Sequence, residues 1–147
     1  MNGRLTLKSA FVPTALALQL LVFLGSSRMA FAADGNPVDW SKSELVSISL
    51  TNFAFAPHQV TLQHGAAYRF RFVNDSASNH DFSAPELFDA VAVAPDDRSK
   101  VDDGSVDVPS GATVDVKVVP NAPGSYNVRC THFLHAMFGM TAVVVIK

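Results

Sequence analysis

Residues 130–140 read CTHFLHAMFGM, and this segment brings one thiol, two imidazoles and two thioethers into eleven consecutive positions. Strand-like runs flank it at 126–130 and 141–146, so we expect a loop that joins two strand ends. Thiolate and thioether are soft ligands and imidazole is intermediate, a combination that suits copper. A single cysteine disfavours structural zinc, which usually takes two or more, and excludes an iron–sulfur cluster held within this chain.

The first 32 residues have the composition of a secretory signal peptide. Arg4 and Lys8 give a positive start, residues 10–24 are mainly apolar, and the small-x-small triplet 30–32 precedes an expected cleavage site before Ala33. The apolar stretch is shorter than the roughly 20 residues of a membrane-spanning helix. We therefore expect export to the periplasm, with no membrane span in the mature chain.

Export makes the lone Cys130 informative, because cysteines in oxidising compartments usually pair. With no second cysteine in the chain, it is a free thiol, half of an intermolecular disulfide, or a metal ligand.

The charge balance disfavours a nucleic-acid partner. Residues 33–147 contain 8 basic and 13 acidic side chains, which gives a net charge near −5. No basic stripe with interleaved aromatic residues is present in the sequence, and an acidic domain repels nucleic acid.

Short strand-like runs separated by turn residues fill most of the mature chain. Tyr68, Phe70 and Phe72 alternate with basic residues, the pattern of a half-buried strand. Similar runs occur at 46–50, 60–62, 80–84, 106–108, 114–119, 126–130 and 141–146. Residues 86–93 fit either a short helix or an irregular edge, and residues 95–104 fit a charged loop. The pattern predicts an all-β fold, an antiparallel Greek-key β-sandwich of about seven to eight strands spanning 44–147, after a flexible leader at 33–43.

A copper site of the blue type needs a second histidine beside Cys130 and His135. His58 and His64 stand beside turn residues and fit solvated positions. His132 is only two residues from the cysteine, a spacing that strains joint chelation. His80 opens a strand after a polar turn, and the residue pattern alone leaves it open as a ligand or as a strand-end histidine bonded to the turn.

The axial ligand has two candidates, because both Met137 and Met140 could instead be core residues. Met140 follows Gly139, which lets the backbone bend close to the site, and this favours Met140.

The pattern Cys130-x4-His135-x4-Met140, followed by an apolar strand, resembles the cupredoxins. Residues 53–57, 68–74, 80–88 and 123–126 also look like bacterial plastocyanin- and azurin-family proteins. The resemblance covers residues 44–147. It implies a type 1 copper ion held by His80, Cys130, His135 and Met140, and an electron carrier rather than an enzyme.

The same resemblance implies that His135 lies near the surface, within an apolar patch formed by Phe133, Leu134, Met137 and Phe138. We expect a monomer whose redox partner docks on this patch.

Two positions depart from the family pattern. Asp81 stands where the family commonly has an asparagine bonded to the residue after the cysteine, here Thr131, and that bond could persist. A carboxylate at this position should favour Cu(II) and lower the potential. His132 is unusual within the loop.

Two alternative functions therefore remain open. One is a periplasmic copper chaperone that uses His132 and Met137 as additional ligands. The other is a metal-free structural sandwich with a free thiol.

Overall fold

Ten β-strands and one short α-helix make up most of residues 37–147, the part of the chain that the computed structural model describes. The strands are β1 (Glu44–Thr51), β2 (Ala54–Ala56), β3 (Gln59–Leu62), β4 (Tyr68–Asn74), β5 (His80–Ser83), β6 (Val91–Val93), β7 (Ser105–Val108), β8 (Thr113–Pro120), β9 (Gly124–Arg129) and β10 (Thr141–Ile146). The helix α1 is Pro85–Asp89, and 3-10 helices occupy Trp40–Lys42 and Pro95–Lys100. The predicted signal peptide and the first residues of the leader lie outside the described residues.

The strands form two five-stranded sheets, in the order β2-β1-β4-β8-β6 and β3-β10-β9-β5-β7. The prediction of a β-sandwich is confirmed, with two differences in detail. β1 pairs in parallel with β4, and β3 pairs in parallel with β10, so both sheets are mixed. The two strands beyond the predicted eight, β2 and β6, have three residues each, too few for an alternating pattern to be recognised.

Residues 85–100, only partly assigned from the sequence, consist of α1, β6 and a 3-10 helix. Pro85 and Pro95 each stand at the start of a helical turn, where the missing N–H of proline removes no hydrogen bond. The expected charged loop at 95–104 is therefore helical in its first six residues.

Aromatic side chains fill the space between the sheets. Tyr68, Phe70 and Phe72 of β4 are buried, as their alternation predicts, and Phe82 of β5 contacts Phe72 with ring centroids 4.7 Å apart. Burying one side chain of this size stabilises the fold by roughly 1.5–3 kcal/mol. The outer face of β4 carries Arg71, which donates two hydrogen bonds to Asp115 of β8.

The second sheet brings the chemistry-bearing segments to one end of the sandwich. β9 and β10 are antiparallel neighbours, and residues 130–140 connect them. β5 runs antiparallel to β9 with Ser83 opposite Arg129. The first residue of β5, His80, therefore lies at the end where β9 finishes and the connecting loop begins.

Candidate metal centre

Three donor atoms from two distant segments converge at this end of the sandwich. The Sγ atom of Cys130 lies 3.4 Å from Nδ1 of His135 and 3.9 Å from Nδ1 of His80. The two Nδ1 atoms are 3.2 Å apart. Cys130 and His80 are buried and His135 is half-buried, so the three atoms face a common point beneath the surface.

The polar turn before β5 sets the tautomer of His80. The Ser76 hydroxyl lies 2.9 Å from Nε2 of His80 and 2.7 Å from Oδ1 of Asn74. An amide oxygen can only accept, so the single hydroxyl proton points to Asn74 and the Ser76 oxygen accepts from Nε2–H of His80. Nδ1 of His80 then carries no proton, and its lone pair faces the space shared with Nδ1 of His135 and Sγ of Cys130.

Burial disfavours the charged forms of the His80 imidazole and the Cys130 thiol, as the directions of both pKa shifts show. Burial lowers the pKa of His80, and the neighbouring His135 and His132 lower it further by charge repulsion. Burial also raises the pKa of the Cys130 thiol. A bound metal ion would reverse this preference by displacing the thiol proton.

Asp81 ties the two donor segments together. One carboxylate oxygen, Oδ1, accepts a hydrogen bond from the backbone N–H of Thr131 at 2.7 Å, and the other, Oδ2, accepts from the Thr131 hydroxyl. The bond considered from the sequence is therefore present. Since Asp81 follows His80 and Thr131 follows Cys130, this contact fixes the two donors relative to each other.

Met140 closes the loop next to the cysteine. Its carbonyl accepts from the backbone N–H of Cys130 at 3.1 Å, and its own N–H donates to the carbonyl of His135 at 3.0 Å. The side chain is buried. Gly139 has a φ of 101°, a conformation that side chains disfavour, and it provides the bend expected before Met140.

The donor set fits copper. Two imidazole nitrogens and one cysteine sulfur, already oriented toward a common point, with a buried methionine at the end of the same loop, match the groups of a blue-copper site.

Residues 15–146 match the family model for the cupredoxin-like domain. The chain belongs to this family. The resemblance noted from the sequence is thus confirmed, and the match extends over most of the chain.

Solved structures of similar fold include three auracyanins. Reduced auracyanin from the photosynthetic bacterium Roseiflexus castenholzii is 21% identical to this chain, with a TM-score of 0.54. The match covers 71% of this chain and 98% of the auracyanin chain. Auracyanin B is 18% identical, with a TM-score of 0.53, and the match covers 81% of this chain and 96% of auracyanin B. Auracyanin A, a "blue" copper protein from Chloroflexus aurantiacus, is 20% identical, with a TM-score of 0.50. The match covers 70% of this chain and 98% of auracyanin A. A comparison with curated proteins finds no match.

The remaining histidines of the cupredoxin domain occupy different settings. His58 is exposed, and Nε2 of His64 lies 3.1 Å from the carbonyl of Asn121, so both are surface turn residues as expected. His132 differs from expectation. Despite its short spacing from Cys130, its Nδ1 lies 3.6 Å from Sγ and 3.4 Å from Oδ2 of Asp81.

Apolar side chains surround His135 on the surface of the cupredoxin domain. The side chains predicted for this patch, Phe133, Leu134, Met137 and Phe138, are exposed, with Phe133 at 86% and Met137 at 81%. Met137 therefore points to solvent, which leaves Met140 as the buried thioether of the loop.

The sequence prediction missed two residues that shape the site. Phe53, in the turn between β1 and β2, lies edge-on to His135 with ring centroids 5.4 Å apart and extends the apolar patch. Ser76 orients His80. The polar turn of 74–79 was visible in the sequence, but nothing there indicated which hydroxyl would reach the imidazole.

Within residues 37–147, no helix has the length and apolar content needed to cross a membrane.

Proposed function

We propose that this protein is an exported one-electron carrier that holds a single copper ion through His80, Cys130 and His135, with Met140 as axial ligand. The observation that carries the proposal is the convergence of two Nδ1 atoms and one Sγ atom, all within 3.9 Å of one another. Bound copper would supply a one-electron couple between Cu(I) and Cu(II).

The residues around the donors favour electron transfer over catalysis. A ligand set that changes little between oxidation states keeps the reorganisation energy low, and here the donors are held in advance. Ser76 fixes the ring of His80, and Asp81 fixes the segment of Cys130. With four protein ligands, no coordination position is left for a substrate, which metalloenzymes require.

The apolar patch around His135 is the proposed docking surface for the redox partner. Phe53, Phe133, Met137 and Phe138 together expose large apolar side chains beside an imidazole that would contact the ion. Small apolar contacts of this kind suit short-lived electron-transfer complexes.

A copper-delivery role is the alternative candidate. The exposed thioether of Met137, a soft ligand, and the half-buried imidazole of His132 lie in the same loop as Cys130 and His135. A delivery protein would retain Cu(I) and remain colourless, whereas a carrier would cycle reversibly between a coloured and a colourless form.

Copper titration of the purified metal-free protein tests the proposed function. We expect one equivalent of Cu(II) to produce an intense visible thiolate-to-copper band that ascorbate bleaches and ferricyanide restores. His80→Ala and Cys130→Ser should abolish the band while circular dichroism shows the sandwich intact, and His58→Ala should retain it. A full band in His80→Ala would reject this ligand set.

Export is tested separately. The mass of the protein recovered from the periplasmic fraction should correspond to a chain that begins at Ala33. An uncleaved chain in the cytoplasm would contradict this part of the proposal.

A further inference from the structure

Three imidazoles, rather than two, surround the sulfur of Cys130. Nδ1 of His132 lies 3.6 Å from Sγ, between the distances for His135 at 3.4 Å and His80 at 3.9 Å. The ring of His132 stacks on that of His135 with centroids 5.7 Å apart and an interplanar angle of 23°. The third ring is therefore held in position against the site.

Asp81 completes a second donor group that shares the same sulfur. Its Oδ2 atom lies 3.4 Å from Nδ1 of His132, and donor atoms of Asp81, Cys130 and His132 all lie within 4.8 Å of one another. Oδ2 already accepts from the Thr131 hydroxyl, but a carboxylate oxygen has a further lone pair. Cys130 is thus common to two overlapping donor groups.

Each group has two buried residues and one half-buried histidine, which is His135 in the first group and His132 in the second. His80 is 1% exposed, whereas the side chain of His132 is 38% exposed. A surface cleft of about 140 Å³ is lined by His80, His132 and Asp107 of β7. The cleft therefore opens the ring of His132, the more exposed of the two histidines that line it, to an ion from solvent.

We propose that His132, Asp81 and Cys130 form a loading site, which binds a copper ion from solvent before it moves to His80 and His135. This inference rests on the proposed copper function. The ion displaces the thiol proton of Cys130, which passes to solvent. Cys130 remains bound throughout the transfer, so the ion exchanges His132 and Asp81 for His80 and His135 without leaving the protein.

The rate of copper uptake tests the loading site. Metal-free protein is mixed with Cu(II) sulfate in a stopped-flow instrument, and growth of the thiolate-to-copper band is followed. His132→Ala and His132→Phe should both slow uptake by about tenfold, a typical effect of removing a supporting metal contact, with little change in the final spectrum. His132→Phe keeps a ring against His135 but has no nitrogen donor, and His58→Ala is the control for loss of a surface imidazole.

A second measurement uses a chain in which the final site is incomplete. His135→Ala should still bind one copper ion by equilibrium dialysis, and adding His132→Ala to it should lower the affinity by at least about tenfold. Uptake at the wild-type rate in His132→Phe, or equal copper affinity in the single and double variants, would overturn the loading site. Failure of the wild-type protein to form the band would instead reject the proposed function itself.

Discussion

The hydroxyl oxygen of Ser76 lies 2.9 Å from Nε2 of His80, on the side of the ring opposite Cys130. Because Ser76 directs its own proton to Asn74, it accepts from His80 and leaves Nδ1 free for a metal ion. The six residues 74–79, which the sequence shows only as a polar turn, therefore determine which nitrogen faces the site.

Ser76→Ala should weaken copper binding about tenfold, because His80 loses the contact that fixes its tautomer and ring orientation. Competition with a chelator of known affinity measures the change. Ser78→Ala is the matched control, since Ser78 contributes its backbone carbonyl to the same turn. An unchanged affinity in Ser76→Ala would show that burial alone orients the imidazole.

Asp81→Asn should raise the reduction potential. Removing a carboxylate from beside the thiolate destabilises Cu(II) more than Cu(I). At this buried position, the effect of one charge on the potential is on the order of a hundred millivolts. Protein-film voltammetry measures it. Thr131→Val removes the hydroxyl bonded to Asp81 but keeps the charge, so an equal rise in both variants would assign the effect to the hydrogen bond.

Met140→Leu should leave copper bound and shift the potential upward. Leucine has a similar volume and is apolar, so the buried position stays filled while the site loses a weak donor, which favours the ion of lower charge. Voltammetry of Met137→Leu provides the control, because that side chain is 81% exposed and its replacement should not move the potential. A shift confined to Met137→Leu would contradict the assignment of Met140.

Phe133→Glu should slow electron self-exchange between copies of the protein without changing the potential. The residue is 86% exposed beside His135, and a charge there opposes the close apolar approach of two sites. NMR line broadening in mixtures of oxidised and reduced protein measures the rate, and added salt should restore part of it. A self-exchange rate equal to that of the wild type would show that electrons leave by another surface.

Asp115→Asn should destabilise the fold at neutral pH and have a smaller effect in acid. The Arg71 guanidinium, which donates two hydrogen bonds, lowers the pKa of Asp115 below its usual value. A lowered pKa in the folded state stabilises the protein above the unfolded pKa, and this stabilisation is lost as the pH falls through the folded value. The urea midpoints of the two proteins should therefore differ at pH 7, begin to approach each other near the unfolded pKa of about 3.9, and converge only below the lower folded value. Asp107→Asn on β7 is the control, and a difference that persists in acid would contradict the charge explanation.

Much of the sandwich could be predicted because its signals are local. The alternation at Tyr68, Phe70 and Phe72 predicts a strand and its buried face from consecutive residues. β2 and β6 could not be predicted in this way, since three-residue strands are stabilised by their partners β1 and β8 rather than by their own sequence. The parallel pairing of β1 with β4 likewise depends on contacts between segments that are distant in the chain.

The sequence by itself determined the donor chemistry, because a thiol, imidazoles and thioethers at fixed spacing in one loop constrain the metal that can bind. Only the tertiary structure decided which imidazoles meet the sulfur. It brings His80 from 50 residues away, and it also turns His132 toward Cys130 although the spacing argued against this. The physical reason is that side-chain direction at a loop follows from backbone turns and from contacts such as Asp81 with Thr131, which form only when β5 lies beside β9 in the same sheet.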